Sequence, residues 1–98
     1  MAKGYWIGRV DVHDEAAYQK YIGANAAAFE KYGAKFIIRG GAFECVEGAA
    51  RPRNVVIEFP TYEAALACYH SDEYKAAMAF RAAPVAEADI IVIEGYEG

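Results

Sequence analysis

The pattern of apolar and polar residues along the chain predicts four β-strands. Residues 5–12, 35–39, 54–59 and 89–96 are rich in the β-branched and aromatic residues that favour strands. Side chains alternate between the two faces of a strand, so half of the first strand should face the helices. That half consists of Trp6, Gly8, Val10 and Val12.

Apolar residues at helical spacing predict a helix between the first two strands. Its apolar face consists of Tyr18, Tyr21, Ile22, Asn25, Ala26, Phe29 and Tyr32. Asp14 is placed to cap its first turn, and Gly33 can supply the left-handed residue that ends it. Thr61 can cap a second helical segment after the third strand. Because Ser71 is another capping residue, that segment is expected to break there and restart over residues 72–81.

Two adjacent glycines, Gly40 and Gly41, interrupt the second strand before residues 43–47 resume an extended pattern. Glycines inside a strand pattern are typical of a bulge, so a bulge is expected there. Cys45 falls in this extended stretch and Cys68 in the second helical segment. Neither cysteine has metal-ligand or redox spacing, so both are expected to be small buried hydrophobic residues, with a disulfide as the alternative.

Three strands carry apolar neighbours, which places apolar side chains on both faces of the sheet. These neighbours are Ile37 and Ile38, Val56 and Ile57, and Ile91 and Val92. Two helices can cover only one face of a four-stranded sheet, and an exposed apolar sheet normally marks an interface. The sequence therefore predicts a homodimer in which two copies pack sheet against sheet.

Length and charge narrow the class of protein. The 98 residues suffice for one domain, expected to span residues 1–98. A net charge of −4 with scattered basic residues disfavours nucleic acid or an anionic membrane surface as a partner. No segment approaches the roughly 20 apolar residues of a membrane span or resembles a signal peptide. A cytoplasmic location is therefore expected.

Four charged residues lie inside apolar strand patterns: Arg9, Asp11, Arg39 and Glu58. A charge in such a position is costly unless it is paired or used. One interpretation is a pocket in which Arg39 or Arg9 binds a carboxylate, phosphate or enolate while Glu58 acts as a base. The other interpretation is a set of structural ion pairs, or strand ends that reach solvent.

Further candidates lie in the second helical segment. His70 is a titratable group at the predicted break, where it could act in catalysis or interact with the last helix carbonyls. Tyr69 and Tyr74 could contact a ligand or belong to the core. Arg81 could contact a ligand or pair with acidic residues at the start of its helix. The chain shows no metal-ligand or phosphate-binding motif, so neither a metal nor a cofactor is expected.

Several separate motifs resemble one bacterial family in the same order along the chain. They are KGYWIGRVDV, RGG, VVIEFPTYEAALACYHSDEY and IVIEGY. Over residues 3–96 the chain is similar to the family called domain of unknown function 1330. The resemblance implies an α+β, ferredoxin-like β-α-β-β-α-β fold with a four-stranded antiparallel sheet and two helices on one face. It also implies the dimeric α/β-barrel superfamily, but no agreed reaction.

The residues and the resemblance together favour a cytoplasmic homodimer that binds a small organic molecule. The superfamily includes small monooxygenases and muconolactone-type isomerases, so cofactor-independent chemistry of that kind is the first hypothesis, by analogy of fold. The candidate catalytic residues are Arg39, Glu58 and His70, and the candidate ligand contacts are Arg9, Tyr69, Tyr74 and Arg81. A non-catalytic stress-related or ligand-binding module and a purely structural dimer are the alternatives.

Overall fold

The computed structural model describes residues 2–98 and contains one four-stranded antiparallel sheet. The strands are β1 (Gly4–Val12), β2 (Lys35–Arg39), β3 (Arg53–Phe59) and β4 (Ala86–Glu94), and the helices are α1 (Glu15–Lys31), α2 (Tyr62–His70) and α3 (Asp72–Met78). The strand order is β2-β3-β1-β4. This is the predicted ferredoxin-like arrangement, with the second helical segment divided into α2 and α3.

Each helix begins at the capping residue that the sequence predicts. The side chains of Asp14 and Thr61 each accept a hydrogen bond of 3.0 Å from the amide three residues later. Ser71 does the same for α3 at 3.1 Å, which fixes the break between α2 and α3. Gly33 follows α1 with a φ of 73°, the left-handed conformation that glycine adopts without steric cost. The local sequence therefore accounts for the helix starts and for the end of α1, whereas α3 ends at Met78, three residues before the predicted end.

The core lies between the helices and one face of the sheet, and it is built around Trp6. The indole of Trp6 is 2% exposed, and its Nε1 donates a 2.8 Å hydrogen bond to the carbonyl of Ala65 in α2. The rings of Phe29, Phe59 and Tyr74 surround it at centroid distances of 5.3, 5.4 and 4.8 Å. The helix-facing half of β1 is therefore the predicted one.

The segment between β2 and β3 differs from the prediction. The bulge lies earlier, between Phe36 and Ile38, and residues 41–50 form no strand and are exposed. Cys45 is consequently exposed, which corrects its predicted burial. Cys68 is fully buried as expected, and burial raises the pKa of its thiol to about 12.

Strand β4 also begins earlier than predicted. It starts at Ala86 and ends at Glu94, because the antiparallel pairing with β1 runs from Val12 opposite Ala86 to Gly4 opposite Glu94. Its first residues, 86–88, are two alanines and a glutamate, which are not typical strand residues. The sequence pattern therefore did not indicate where the strand begins. The length of β1 sets the length of its partner.

The second face of the sheet, here called the open face, has no helix over it. Its apolar centre consists of Ile7, Ile38, Val56, Ile91 and Ile93. Ile38 is 48% exposed and Ile91 54% exposed. The prediction that both faces of the sheet carry apolar side chains is therefore confirmed.

Candidate functional site

An internal space, here called the inner cavity, lies between the sheet and the helices. Its apolar wall includes Trp6, Phe29, Phe36 and Ile57, and Gly8 lies in its floor. Its volume of about 30 Å³ is room for about two water molecules or a group of similar size. Gly8 leaves space that a side chain would fill, since an added Cβ would lie 3.0 Å from Val55.

Three arginines, Arg39, Arg53 and Arg81, line the inner cavity. The Arg53 guanidinium lies 5.6 Å from the ring centroid of Tyr18, and the Arg81 guanidinium lies 5.4 Å from that of Tyr21. These two rings are neighbours on α1, with centroids 5.2 Å apart. Two positive charges therefore lie against adjacent rings of the first turns of α1, at the cavity wall.

None of these three arginines forms an ion pair with another residue in the range 2–98. Arg53 Nε is buried and has no hydrogen-bond partner there. The described lining of the cavity also contains no aspartate, glutamate or histidine. Arg53 and Arg81 are partly buried, whereas Arg39 is exposed. A partly buried charge without a carboxylate partner is costly, so Arg53 and Arg81 bring positive charge to the cavity that the folded chain itself does not neutralise.

A chain of hydrogen bonds connects Arg81 to the cavity. Arg81 Nη2 donates to the hydroxyl of Tyr74 at 3.2 Å, and the hydroxyls of Tyr74 and Tyr21 are 2.7 Å apart. Tyr74 is fully buried, and burial raises the pKa of its hydroxyl well above the usual range, so it stays protonated. If Tyr74 passes its proton toward Tyr21, the Tyr21 hydroxyl donates into the cavity that it lines.

Asn25 adds a neutral polar group to the same wall. It is 5% exposed, lies on the apolar face of α1 and lines the cavity. Its amide has no hydrogen-bond partner within the described chain. An asparagine buried in this way normally finds a partner, so its amide is available to a molecule in the cavity.

A wider groove, here called the outer groove, adjoins the inner cavity at the start of α1. The two spaces share Val10, Tyr18, Ile22 and Arg53, and the groove has a volume of about 260 Å³. Polar residues, including His13, Glu15 and Gln19, line its outer part. Arg53 therefore stands where a molecule would pass from the groove into the cavity.

The strand register places on opposite faces two residues that one interpretation of the sequence assigned to a common pocket. Arg39 pairs with Val55 and lines the inner cavity, whereas Glu58 pairs with Tyr5 and lies on the open face. Glu58 accepts hydrogen bonds from Lys3 and Tyr5, and these bonds hold the pKa of its carboxyl below the usual range. Within one chain, Glu58 cannot act as a base on a molecule that Arg39 holds in the cavity.

The other sequence candidates are distributed over different environments. Arg81 lines the inner cavity, and its partner is Tyr74 rather than the acidic start of α3. Tyr69 packs against Trp6, with ring centroids 5.7 Å apart. Arg9 lies exposed on the open face, and His70 is exposed at the end of α2. Geometry thus gathers Arg39 and Arg81 in one place and leaves Arg9 and His70 outside it.

Sequence reasoning missed Arg53 and gave Asn25 no chemical role. A signal for each was present, because Arg53 has the same strand parity as Val55 and Ile57, and Asn25 was the one amide on the predicted apolar face of α1. Their polarity at core-facing positions was the indication of a site. Only the structure shows that the two residues face one space.

Two features bear on other kinds of site. Residues 2–98 contain no cluster of three or more histidine, cysteine, aspartate or glutamate side chains arranged to hold a metal ion. No helix in that range is both long enough and apolar enough to cross a membrane.

One known protein family matches nearly the whole chain. The model of the family described as domain of unknown function DUF1330 matches residues 3–96. The chain belongs to this family. Its members carry no assigned reaction in that description, so the DUF1330 match confirms the resemblance without naming an activity. No functionally curated protein matches the chain.

Solved structures share the fold at low sequence identity. A protein of unknown function from Rhodopseudomonas palustris is 17% identical with a TM-score of 0.77, over 99% of this chain and 85% of that one. SnoaB, a cofactor-independent oxygenase from Streptomyces nogalater, is 12% identical with a TM-score of 0.65, over 100% and 97%. A dimeric ferredoxin-like protein of unknown function from Thermobifida fusca is 15% identical with a TM-score of 0.56, over 95% and 91%. At these identities the likeness establishes the ferredoxin-like fold alone.

Proposed function

We propose that this DUF1330 protein is a homodimer that binds a small organic molecule between the sheet and the helices of each copy. The observation that carries the proposal is the inner cavity, where Arg53 and Asn25 have polar atoms without partners in the described chain. Ligand sites are concave and mostly apolar, with a few convergent polar groups, and this cavity has that composition. The head of a ligand would enter the inner cavity, and its body would lie in the outer groove.

The dimer part of the proposal rests on the open face. Ile38, Ile91 and Ile93 are each between 45% and 54% exposed, on neighbouring parts of one sheet surface. Burying a fully exposed side chain of this kind is worth roughly 1.5–3 kcal/mol, and each of these is already about half buried, so covering it would contribute roughly half of that. A second copy supplies an apolar face of the same shape, and the Thermobifida fusca protein of the same fold is described as dimeric. The copies would therefore meet sheet against sheet.

The chemistry that this site could assist is stabilisation of negative charge on a bound molecule. Its polar groups are guanidinium, phenol and amide, and its described lining lacks a carboxylate or imidazole base. Such groups stabilise an enolate or phenolate that forms during a reaction. SnoaB is described as a cofactor-independent oxygenase on this fold, which favours chemistry of that general kind here. Arg39 and Arg81 line the inner cavity and are proposed contacts, whereas Glu58 and His70 lie outside it and are not included in the proposal.

A non-catalytic dimeric module is the second candidate. The small volume of the inner cavity, about 30 Å³, favours it, because a substrate-sized molecule would occupy mainly the outer groove. In that case the protein would bind its ligand without converting it.

Native mass spectrometry of gently purified protein tests the proposal. We expect a dimer at micromolar concentration that retains an additional small mass. The single tryptophan, Trp6, lines the cavity, so its fluorescence gives a second readout during a screen of neutral and charged organic compounds. A monomer would contradict the dimer. A bare dimer whose Trp6 fluorescence responds to no compound would contradict ligand binding and support a structural dimer.

A further inference from the structure

The polar groups around the inner cavity are all able to donate hydrogen bonds, and this restricts the ligand. Arg39, Arg53 and Arg81 can only donate, since a guanidinium has no acceptor atom. The Tyr21 hydroxyl has its proton available to the cavity when Tyr74, which accepts from Arg81, donates to it. Asn25 contributes an amide that offers both donors and an acceptor.

The charges of the cavity agree with this donor pattern. Arg53 and Arg81 lie against the adjacent rings of Tyr18 and Tyr21, and neither has a carboxylate partner within residues 2–98. A different arginine, Arg51, shows what this chain does elsewhere, because it contacts carboxylates on both β1 and β4. The chain therefore has carboxylates that pair with an arginine, but none of the described ones pairs with Arg53 or Arg81.

We infer that the ligand is a small organic anion whose carboxylate, or an equivalent enolate or phenolate oxygen, occupies the inner cavity between Arg53 and Arg81. This inference rests on the proposed function and names the substrate class of that same site. A carboxylate accepts several hydrogen bonds at once and forms charge-assisted pairs with guanidinium groups. The volume of about 30 Å³ suits a group of that size.

The apolar body of the ligand has a defined path. Arg53, Tyr18, Val10 and Ile22 line both the inner cavity and the outer groove, so the anionic head and the body can be held at once. The carboxylate of Glu15 lines the groove and not the cavity, which disfavours the reverse orientation for an anion. The positive charge of the cavity and the negative charge of the groove thus favour one orientation of the ligand, with its anionic head in the cavity.

Matched pairs of carboxylates and amides test the inference. Acetate and acetamide, and benzoate and benzamide, have nearly the same shape and differ in charge. We expect benzoate to change the fluorescence of Trp6 with saturation, and benzamide to bind at least about 10-fold more weakly, because a hydrogen bond to a charged group is worth more than a neutral one. Titrations are made at constant ionic strength, so that added salt is the same in each.

Variants identify the residues that recognise the charge. Arg53→Met and Arg81→Met should each raise the Kd for benzoate at least about 10-fold and change that for benzamide less than about 3-fold. Lys20→Met removes one positive charge from the exposed surface of α1 and should leave both values unchanged. Asn25→Leu keeps the side-chain volume and is a further test if an arginine variant does not fold.

The possible outcomes separate the inference from the proposed function. If benzamide binds as tightly as benzoate, or if both arginine variants keep wild-type affinity for benzoate, the anion inference is wrong while a ligand site remains. If none of the four compounds affects Trp6 and native mass spectrometry shows no retained mass, the inference and the ligand-binding proposal both fail.

Discussion

The open face and the helix-covered face of the sheet differ in how their charged side chains are neutralised. On the open face, Glu58 accepts hydrogen bonds from Lys3 and Tyr5, and Arg51 binds Asp11 and Asp89. On the covered face, the three arginines of the inner cavity have no carboxylate partner among the described residues. On the open face, Glu58 and Arg51 have charged partners while large apolar side chains are exposed. On the covered face, the apolar side chains are buried while the cavity arginines lack carboxylate partners.

This difference indicates what each face lacks. Exposure of apolar side chains to water is unfavourable, and contact with a second apolar surface would remove that cost. The open face is therefore complementary to another protein surface. Partly buried positive charges lack an anion, so the covered face is complementary to a small acidic molecule. One four-stranded sheet can therefore serve assembly on one side and binding on the other.

The largest expected effect comes from the core, which lies on the helix-covered face of the sheet. Phe59 is 1% exposed and packs against Trp6. We expect Phe59→Ala to lower the free energy of unfolding by about 3–5 kcal/mol, because it leaves a cavity in the core. Denaturant unfolding measures the loss, and Ile91→Ala on the open face is the matched control. If Ile91→Ala destabilised the dilute, monomeric protein as much as Phe59→Ala does, Ile91 would be packed within the monomer and the open face would not be exposed.

A charge introduced into the open face tests the dimer. Ile91→Glu should weaken self-association at least about 100-fold, since an unpaired carboxylate buried in an apolar interface costs several kcal/mol. Sedimentation velocity over a concentration series measures the change. Ala27→Glu adds the same charge to the exposed side of α1 and should not affect association. Equal behaviour of the two variants would place the interface elsewhere.

A smaller effect is expected from the hydrogen bonds behind the cavity. Tyr74→Phe removes the acceptor of Arg81 and the partner of Tyr21. We expect a loss of about 1–3 kcal/mol in the free energy of unfolding, because buried polar groups are left without partners. Thermal and denaturant unfolding measure this loss. The control is Tyr96→Phe, which alters a residue that is 96% exposed and should change stability by less than about 0.5 kcal/mol. An unchanged Tyr74→Phe protein would argue against the hydrogen-bond chain.

The smallest effect concerns the paired charges of the open face. The hydrogen bonds from Lys3 and Tyr5 lower the pKa of Glu58 below the 4.5 of the free side chain. The folded state therefore binds fewer protons than the unfolded state, and the resulting stabilisation is present above pH 4.5 and lost as pH falls through the lowered pKa. We expect the melting temperature to fall slightly more for the wild type than for Glu58→Gln between about pH 6 and about pH 3. Parallel pH profiles for the two proteins would contradict the assigned pairing.

The predictability of the candidate site differed from residue to residue. Arg39 was recognisable from sequence as a charge inside an apolar strand pattern and Arg81 as a charge at the predicted end of the second helical segment, and both line the cavity. Glu58 was equally conspicuous, but its register position opposite Tyr5 places it on the other face. Register depends on pairing between distant segments, so a single strand pattern could not assign Arg39 and Glu58 to a common side.

The sequence by itself determined the helix starts and the presence of four strands, and its resemblance to the DUF1330 family implied the fold. Asp14, Thr61 and Ser71 act through hydrogen bonds to the amide three residues later, and such local interactions can be read from the chain directly. Only the tertiary structure decided that residues 41–50 stay exposed and that Cys45 is exposed with them. It also decided that Arg53, Arg81 and Asn25 line one cavity. These outcomes depend on which distant segments cover one another, and that information is carried by packing rather than by local pattern.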